Sequence, residues 1–262
     1  MAIAQVDPGT TPDTRGRLRA PSLGLVIALH LLPGALMTVA YVLLEPLAVV
    51  AGFPAIAALL AAIIVVLIPF ELAVVVLAGD RGAGVGDAIG NAVPYRRPIP
   101  ARRWLWLVPV LILAAFVGFG LSAVIEPQII GGLFGWLPEW FVRPIDLAHT
   151  ADYSRTVWVV TLAAYLILNG FLGPIVEETY FRGFLLPHLE RFGRWAPLIN
   201  VSLFSLYHFW SPWQLLARIL GFAPTVYAVR WTRNVYLGMV VHCSLNTLGV
   251  VLLGTQILRT AR

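Results

Sequence analysis

Glu177, Glu178, Arg182, His208, His242 and Asn246 are the residues of this chain whose types and spacing suit them to activating water. They fall in three clusters: Glu177-Glu178-Thr179-Tyr180-Phe181-Arg182, then Phe204 four residues before His208, then His242 four residues before Asn246. Each cluster lies within or against an apolar stretch, where an ionisable group is costly and marks a functional site by default. A carboxylate can take a proton from water, an imidazole can hold or relay one, and an imidazole beside an amide can steady a developing oxyanion. The chemistry this set supports is hydrolysis.

Spacing divides the labour. Neighbours on a helix diverge by about 100°, so Glu177 and Glu178 face different ways. Glu178 and Arg182 have the four-residue spacing of a same-face ion pair, which leaves Glu177 as the freer carboxylate and the better base. Phe204 shares a helix face with His208, and His242 with Asn246. Plainer readings stand beside these: a headgroup-level charge cluster for the glutamates, and hydrogen-bonded packing for His208, His242 and Asn246. Taken together, the clusters require three helices, each presenting one polar face to a single cavity below the cytoplasmic surface. Outside them, Glu71 is expected to cap a span or pair with an arginine, His30 and Asn169 to pack, and Arg218 to snorkel or meet a headgroup.

The elements that must position these residues are built for a bilayer. The 262 residues are 59% hydrophobic and 12% charged, against about 25% charged in a soluble domain. About 20 apolar residues cross the hydrocarbon core, and uncharged runs of that order occur at 20–44, 46–70, 104–125, 156–176, 195–217 and 234–258. Ser211-Pro212 breaks the fifth into a short helix and the start of another reaching Val229. The prediction is an all-α, polytopic integral membrane helical bundle of about seven transmembrane helices, within a range of six to eight. Along the chain it divides into a polar tail over 1–19, N-terminal spans and their loops over 20–155, and a catalytic core over 156–258. The Gly131–Phe141 stretch, with Trp136 and Trp140, reads as interfacial.

Charge sets the expected orientation. The net charge of +5 comes from arginine alone. Arg15, Arg17 and Arg19 precede the first span, and Arg81, Arg96, Arg97, Arg102 and Arg103 lie between the second and third. The turn after the first span holds Glu45 and no arginine. By the positive-inside rule the N-terminus and the 80–103 loop are cytoplasmic, the expected location being the plasma membrane. The lipid bilayer is thus a partner. Nucleic acid is not, because there is no basic groove or stacking motif. Cys243 stands alone, which excludes an intrachain disulfide and a cysteine-based metal site.

The ordered set Glu177-Glu178…Arg182, Phe204…His208 and His242…Asn246, with Phe181-Arg182-Gly183, resembles the CPBP intramembrane proteases. These comprise the type II CAAX prenyl endopeptidases and bacterial, Abi-like relatives, including bacteriocin-processing and immunity proteins. The resemblance covers about 170–250. It implies proteolysis within the membrane, in a cavity open to the cytoplasm, on a membrane protein or a lipidated, CAAX-type peptide. In that scheme Glu177 with His208 activates water, His242 and Asn246 stabilise the tetrahedral intermediate, and Glu178, Arg182 and Phe204 support the site. Zinc is the candidate metal, with Glu177, His208 and His242 as ligands leaving one position open. The metal-free route is preferred here because no His-Glu-x-x-His pair is present.

Two other functions compete. A non-enzymatic scaffold or bacteriocin-immunity factor could keep the fold without needing Glu177 or His208. A proton-coupled transporter would favour an internal repeat with broken helices, and the sequence has no such symmetry.

Overall fold

The computed structural model describes residues 22–79 and 84–261; the arginines of the N-terminal tail and Arg81 lie outside the described residues. Eight principal helices follow one another. The first, α1 (Leu23–Val50), starts where the Ser22 hydroxyl accepts from the Leu25 amide at 3.2 Å. It runs through Pro46 and stops at a turn where Gly52 takes φ +79°, a left-handed conformation that glycine adopts freely. Glu45 therefore lies inside α1 rather than in the turn, and the break between the first two spans falls at 51–55. Next come α2 (Ile56–Ala78), the short α3 (Val85–Ala92) and α4 (Ala101–Ala123).

A connection of short helices over 124–154 leads to α5 (Arg155–His188). Then come α6 (Ala196–Leu206), α7 (Leu215–Thr232) and α8 (Val235–Thr260). The break at Ser211-Pro212 separates α6 from α7, as the sequence predicts. Five helices, α1, α2, α4, α5 and α8, are long and apolar enough to cross a bilayer. The other three fall short for different reasons: α3 has 8 residues, α6 has only 11, and α7 carries Arg218 and Arg230. The chain is a polytopic integral membrane helical bundle.

Two features place the site. Pro174 has no N–H and would clash with the carbonyl four residues back in a regular helix. The chain answers by widening α5 into a π-helical turn over Leu166–Leu172, and a second such turn spans Glu178–Leu185. Such turns are frequent at functional sites, and Glu177 sits between the two. The second feature is close approach. A Cβ at Gly34 of α1 would fall 1.8 Å from the Tyr207 carbonyl oxygen, and one at Gly118 of α4 would fall 2.6 Å from Leu220 of α7. Glycine is what lets these helices touch backbone to backbone.

The 131–141 stretch is only partly interfacial. Trp136 is exposed, but Phe141 is buried against Tyr41 and Trp213, and the Trp140 carbonyl accepts from the Tyr41 hydroxyl at 3.0 Å.

The bundle has two chemically distinct ends. At one, the Tyr95 hydroxyl and Arg230 both donate to Glu190, and the Arg97 amide donates to the Arg233 carbonyl at 2.9 Å. Arg96, Arg102, Arg103 and Arg194 belong to this end. At the other, the Ile56 amide donates to the Pro144 carbonyl at 3.1 Å, and Arg155 to the Leu258 carbonyl at 2.7 Å. This second end carries Glu45, Glu126, Glu139, Asp146 and Asp152.

Candidate active site

The long helix α5 runs on past Glu177 for about three more turns, on the order of 16 Å. Glu177 is therefore held in the interior of the bundle, not at the headgroup level of the plainer reading. A cavity of about 490 Å³ opens beside it, and Glu177, His208, His242 and Asn246 all line its wall. The three sequence clusters thus meet at one place. Glu178 and Arg182 stand behind that wall.

The two carboxylates have different surroundings. The Tyr207 hydroxyl donates to Glu177 Oε1, while Glu177 Oε2 lies 3.8 Å from His242 Nε2. That gap is too long for a direct hydrogen bond. Glu178 is fully buried, with Oε1 3.1 Å from His242 Nδ1 and 3.4 Å from Arg182 Nη1. Its other oxygen sits against Gly238, where an added Cβ would come within 2.3 Å of Oε2. Glu178 accordingly touches the imidazole as well as the arginine, a contact that helical spacing within one segment does not reveal.

Arg182 is 1% exposed, and its guanidinium nitrogens have no hydrogen-bond acceptor among the described residues. Its charge is met by Glu178 on one side and by the Phe204 ring, 3.8 Å from the guanidinium carbon, on the other. A desolvated cation over an aromatic face gains about 2 kcal/mol. Phe204 thus forms the floor under Arg182.

Hydrogen-bond partners fix the ring orientations. The Phe204 carbonyl can only accept, so His208 Nδ1, at 2.8 Å, carries the hydrogen and Nε2 keeps its lone pair. By the same reasoning His242 Nδ1 carries a hydrogen toward Glu178, and Nε2 is the nitrogen facing Glu177. Asn246 spends one Nδ2 hydrogen on the Asn169 carbonyl at 2.8 Å and keeps the other.

Several lining or nearby residues were assigned differently by the sequence reading. Tyr207 was not singled out, although it follows Phe204 by three residues and so lies near it on α6. Arg218 neither snorkels nor meets a headgroup: it is buried in the cavity wall and donates to the Ser211 carbonyl at 3.0 Å, the Ser211 hydroxyl at 2.5 Å and Gln214 Oε1 at 2.8 Å. Glu71 neither caps nor pairs: it is fully buried within α2, and neither oxygen has a hydrogen-bond partner among the described residues. His30 packs, lying 3.1 Å from Asn200 Nδ2.

The zinc arrangement does not fit these positions. Among the described residues no three His, Cys, Asp or Glu side chains come together to hold an ion.

Residues 158–248 match the family model described as type II CAAX prenyl endopeptidase Rce1-like. Over that segment the chain is similar to the CPBP proteases. The Rce1-like segment begins in the first turn of α5, ends inside α8 and contains every residue of the three clusters. Helices α1 to α4 lie outside it. The family is one of proteases. No curated protein and no solved structure matches this chain.

The cavity runs from Glu177 past Tyr41, Ile56, Glu126, Arg143 and Gln214, all toward the acidic end of the bundle. On the other side Phe181, Leu185 and Phe204 are packed to 0–1% exposure. The lining therefore lies between Glu177 and the acidic end, not between Glu177 and the arginine-rich end.

Proposed function

We infer that this protein is an intramembrane endopeptidase of the glutamate type, acting in the cell membrane on a membrane-associated polypeptide. The observation that carries this reading is Glu177 itself: a buried carboxylate with one oxygen held by Tyr207 and the other turned toward His242 across a cavity.

Each group then has one task. Water in the cavity gives a proton to Glu177 Oε2 as its oxygen bonds to the scissile carbonyl carbon. His208 accepts a second hydrogen bond from that water at Nε2 and so aims it. In its protonated form His242 donates from Nδ1 to Glu178 and from Nε2 to the oxyanion, beside the remaining Asn246 hydrogen. A donor of this kind is worth about 10²–10³ in rate. When the C–N bond breaks, the proton on Glu177 passes to the leaving amine, and the carboxylate is restored. Glu178 and Arg182 act through His242, as positioning residues.

The test compares membrane proteomes of cells carrying the wild-type protein with cells carrying Glu177→Gln. Polypeptides truncated only with the wild type are the expected result. Identical proteomes, with both proteins present at equal levels, would overturn the endopeptidase reading.

A further inference from the structure

The arginines and the cavity lie at opposite ends of the bundle. The exposed or half-buried pairs Arg96 and Arg97, Arg102 and Arg103, and Arg230 and Arg233 gather where Tyr95, Glu190 and Asn234 join the helix ends. At the far end the described arginines are Arg143, Arg155 and Arg259. Positive charge of this bias stays on the cytoplasmic side. The cavity, however, reaches from Glu177 toward Glu126, Arg143 and Gln214.

We propose that the site takes its substrate from the extracytoplasmic side, as an extended segment of an exported or membrane-anchored polypeptide presented at the outer leaflet. This rests on the endopeptidase reading for what happens to the segment, while the direction of access stands on the geometry and the charges. Two further observations bear on the occupant. The cavity volume of about 490 Å³ lies within the range of pockets for drug-sized ligands, about 300–1,000 Å³, so it holds a few extended residues and no folded unit. On the other side Tyr180, Phe181, Leu185 and Leu186 form a closed plug at 0–1% exposure between Glu177 and the arginine-rich end. A prenylated C-terminus on the cytoplasmic leaflet has no open path to Glu177 through that plug.

The test uses single-cysteine variants of the full chain, with the lone native thiol removed as Cys243→Ser. Glu139→Cys reports the acidic end, Arg102→Cys the arginine-rich end and Gln214→Cys the cavity wall. A membrane-impermeant maleimide is added to intact cells and, separately, to permeabilised cells. Glu139→Cys and Gln214→Cys should label in intact cells, and Arg102→Cys at least about tenfold more after permeabilisation. Labelling of Arg102→Cys in intact cells, or of Gln214→Cys only after permeabilisation or under neither condition, would overturn the proposal. Mapping truncated peptides that depend on Glu177 adds a second arm. Cuts in extracytoplasmic or outer-leaflet segments support the access route, and cuts at cytoplasmic C-termini overturn it. Absence of any cut, with the labelling pattern intact, would remove the protease reading and leave the direction of access standing.

Discussion

His242 Nδ1 lies 3.1 Å from Glu178 Oε1, across 64 residues of sequence. The second glutamate of the pair thereby holds the imidazole whose other nitrogen faces the first. Glu178→Gln should therefore cost turnover even where the protein folds, because a neutral amide no longer anchors the ring. A fall in kcat with little change in KM is expected, and steady-state kinetics on a cleaved peptide would show it.

The buried pair also bears on stability. Removing one partner of a buried ion pair strands the other, at a cost of about 3–5 kcal/mol. With both Glu178 and Arg182 at about 1% side-chain exposure, Glu178→Ala and Arg182→Ala should both lower the melting temperature of the purified protein. Glu177→Gln should not, and it should abolish cleavage. If Glu177→Gln stays active and only Glu178→Gln is dead, the roles are reversed. Full cleavage by both variants would show that neither glutamate is the base.

Tyr207→Phe removes the hydroxyl that donates to Glu177 Oε1 while keeping the ring contacts with Phe181 and Trp210. The expected effect is a loss of about 10- to 150-fold in kcat, since a hydrogen bond to a charged group is worth about 1.5–3 kcal/mol, with thermal unfolding changed far less than in Arg182→Ala.

Gly238→Ala tests the same geometry from behind. Alanine is the better helix former by about 1 kcal/mol, yet its Cβ would meet Glu178 Oε2 at 2.3 Å. The carboxylate must move, and with it the His242 ring. Activity should fall although the helix gains propensity; unchanged kcat would show that Glu178 does not position His242.

At the arginine-rich end, partial burial pushes the Glu190 carboxyl up, but hydrogen bonds from Arg230 and Tyr95 outweigh it and hold the group below its ordinary value. An acid held low contributes stability that is fully present above the unfolded value of about 4.3 and is lost as pH falls through the lower folded value. Wild type should therefore lose melting temperature on acidification below about pH 4.3 more steeply than Glu190→Gln. Parallel melting curves at stepped pH measure the difference.

Much of the helical order was legible in the sequence, because apolar run length and the Ser211-Pro212 break act locally. The meeting of Glu177, His208, His242 and Asn246 was legible as a requirement, since polar faces in lipid must be satisfied by one another or by water. Glu45 was misplaced because a charge was read as the edge of a span, whereas α1 carries it for another turn. Arg218 and Glu71 were read as peripheral for a related reason: a lone charge in an apolar run shows its cost but not its partner. Tyr207 escaped because an aromatic in a membrane helix is unremarkable until its hydroxyl is seen on a carboxylate. The contact of Glu178 with His242 depends on how α5 and α8 pack, which no single segment encodes.

The backbone contact of Gly34 with Tyr207 has a further consequence for how the molecule can be cut or rebuilt. Gly34 belongs to α1, far outside the Rce1-like segment of 158–248. Its neighbours on α1 also hold the site: the Tyr180 hydroxyl donates to the Leu29 carbonyl at 2.7 Å, and His30 meets Asn200. The helix that carries no catalytic group is thus the brace against which Tyr207, and through it Glu177, is set. A transplant of the family segment alone onto another membrane scaffold would carry the chemistry without its support, whereas a graft that includes α1 would keep both.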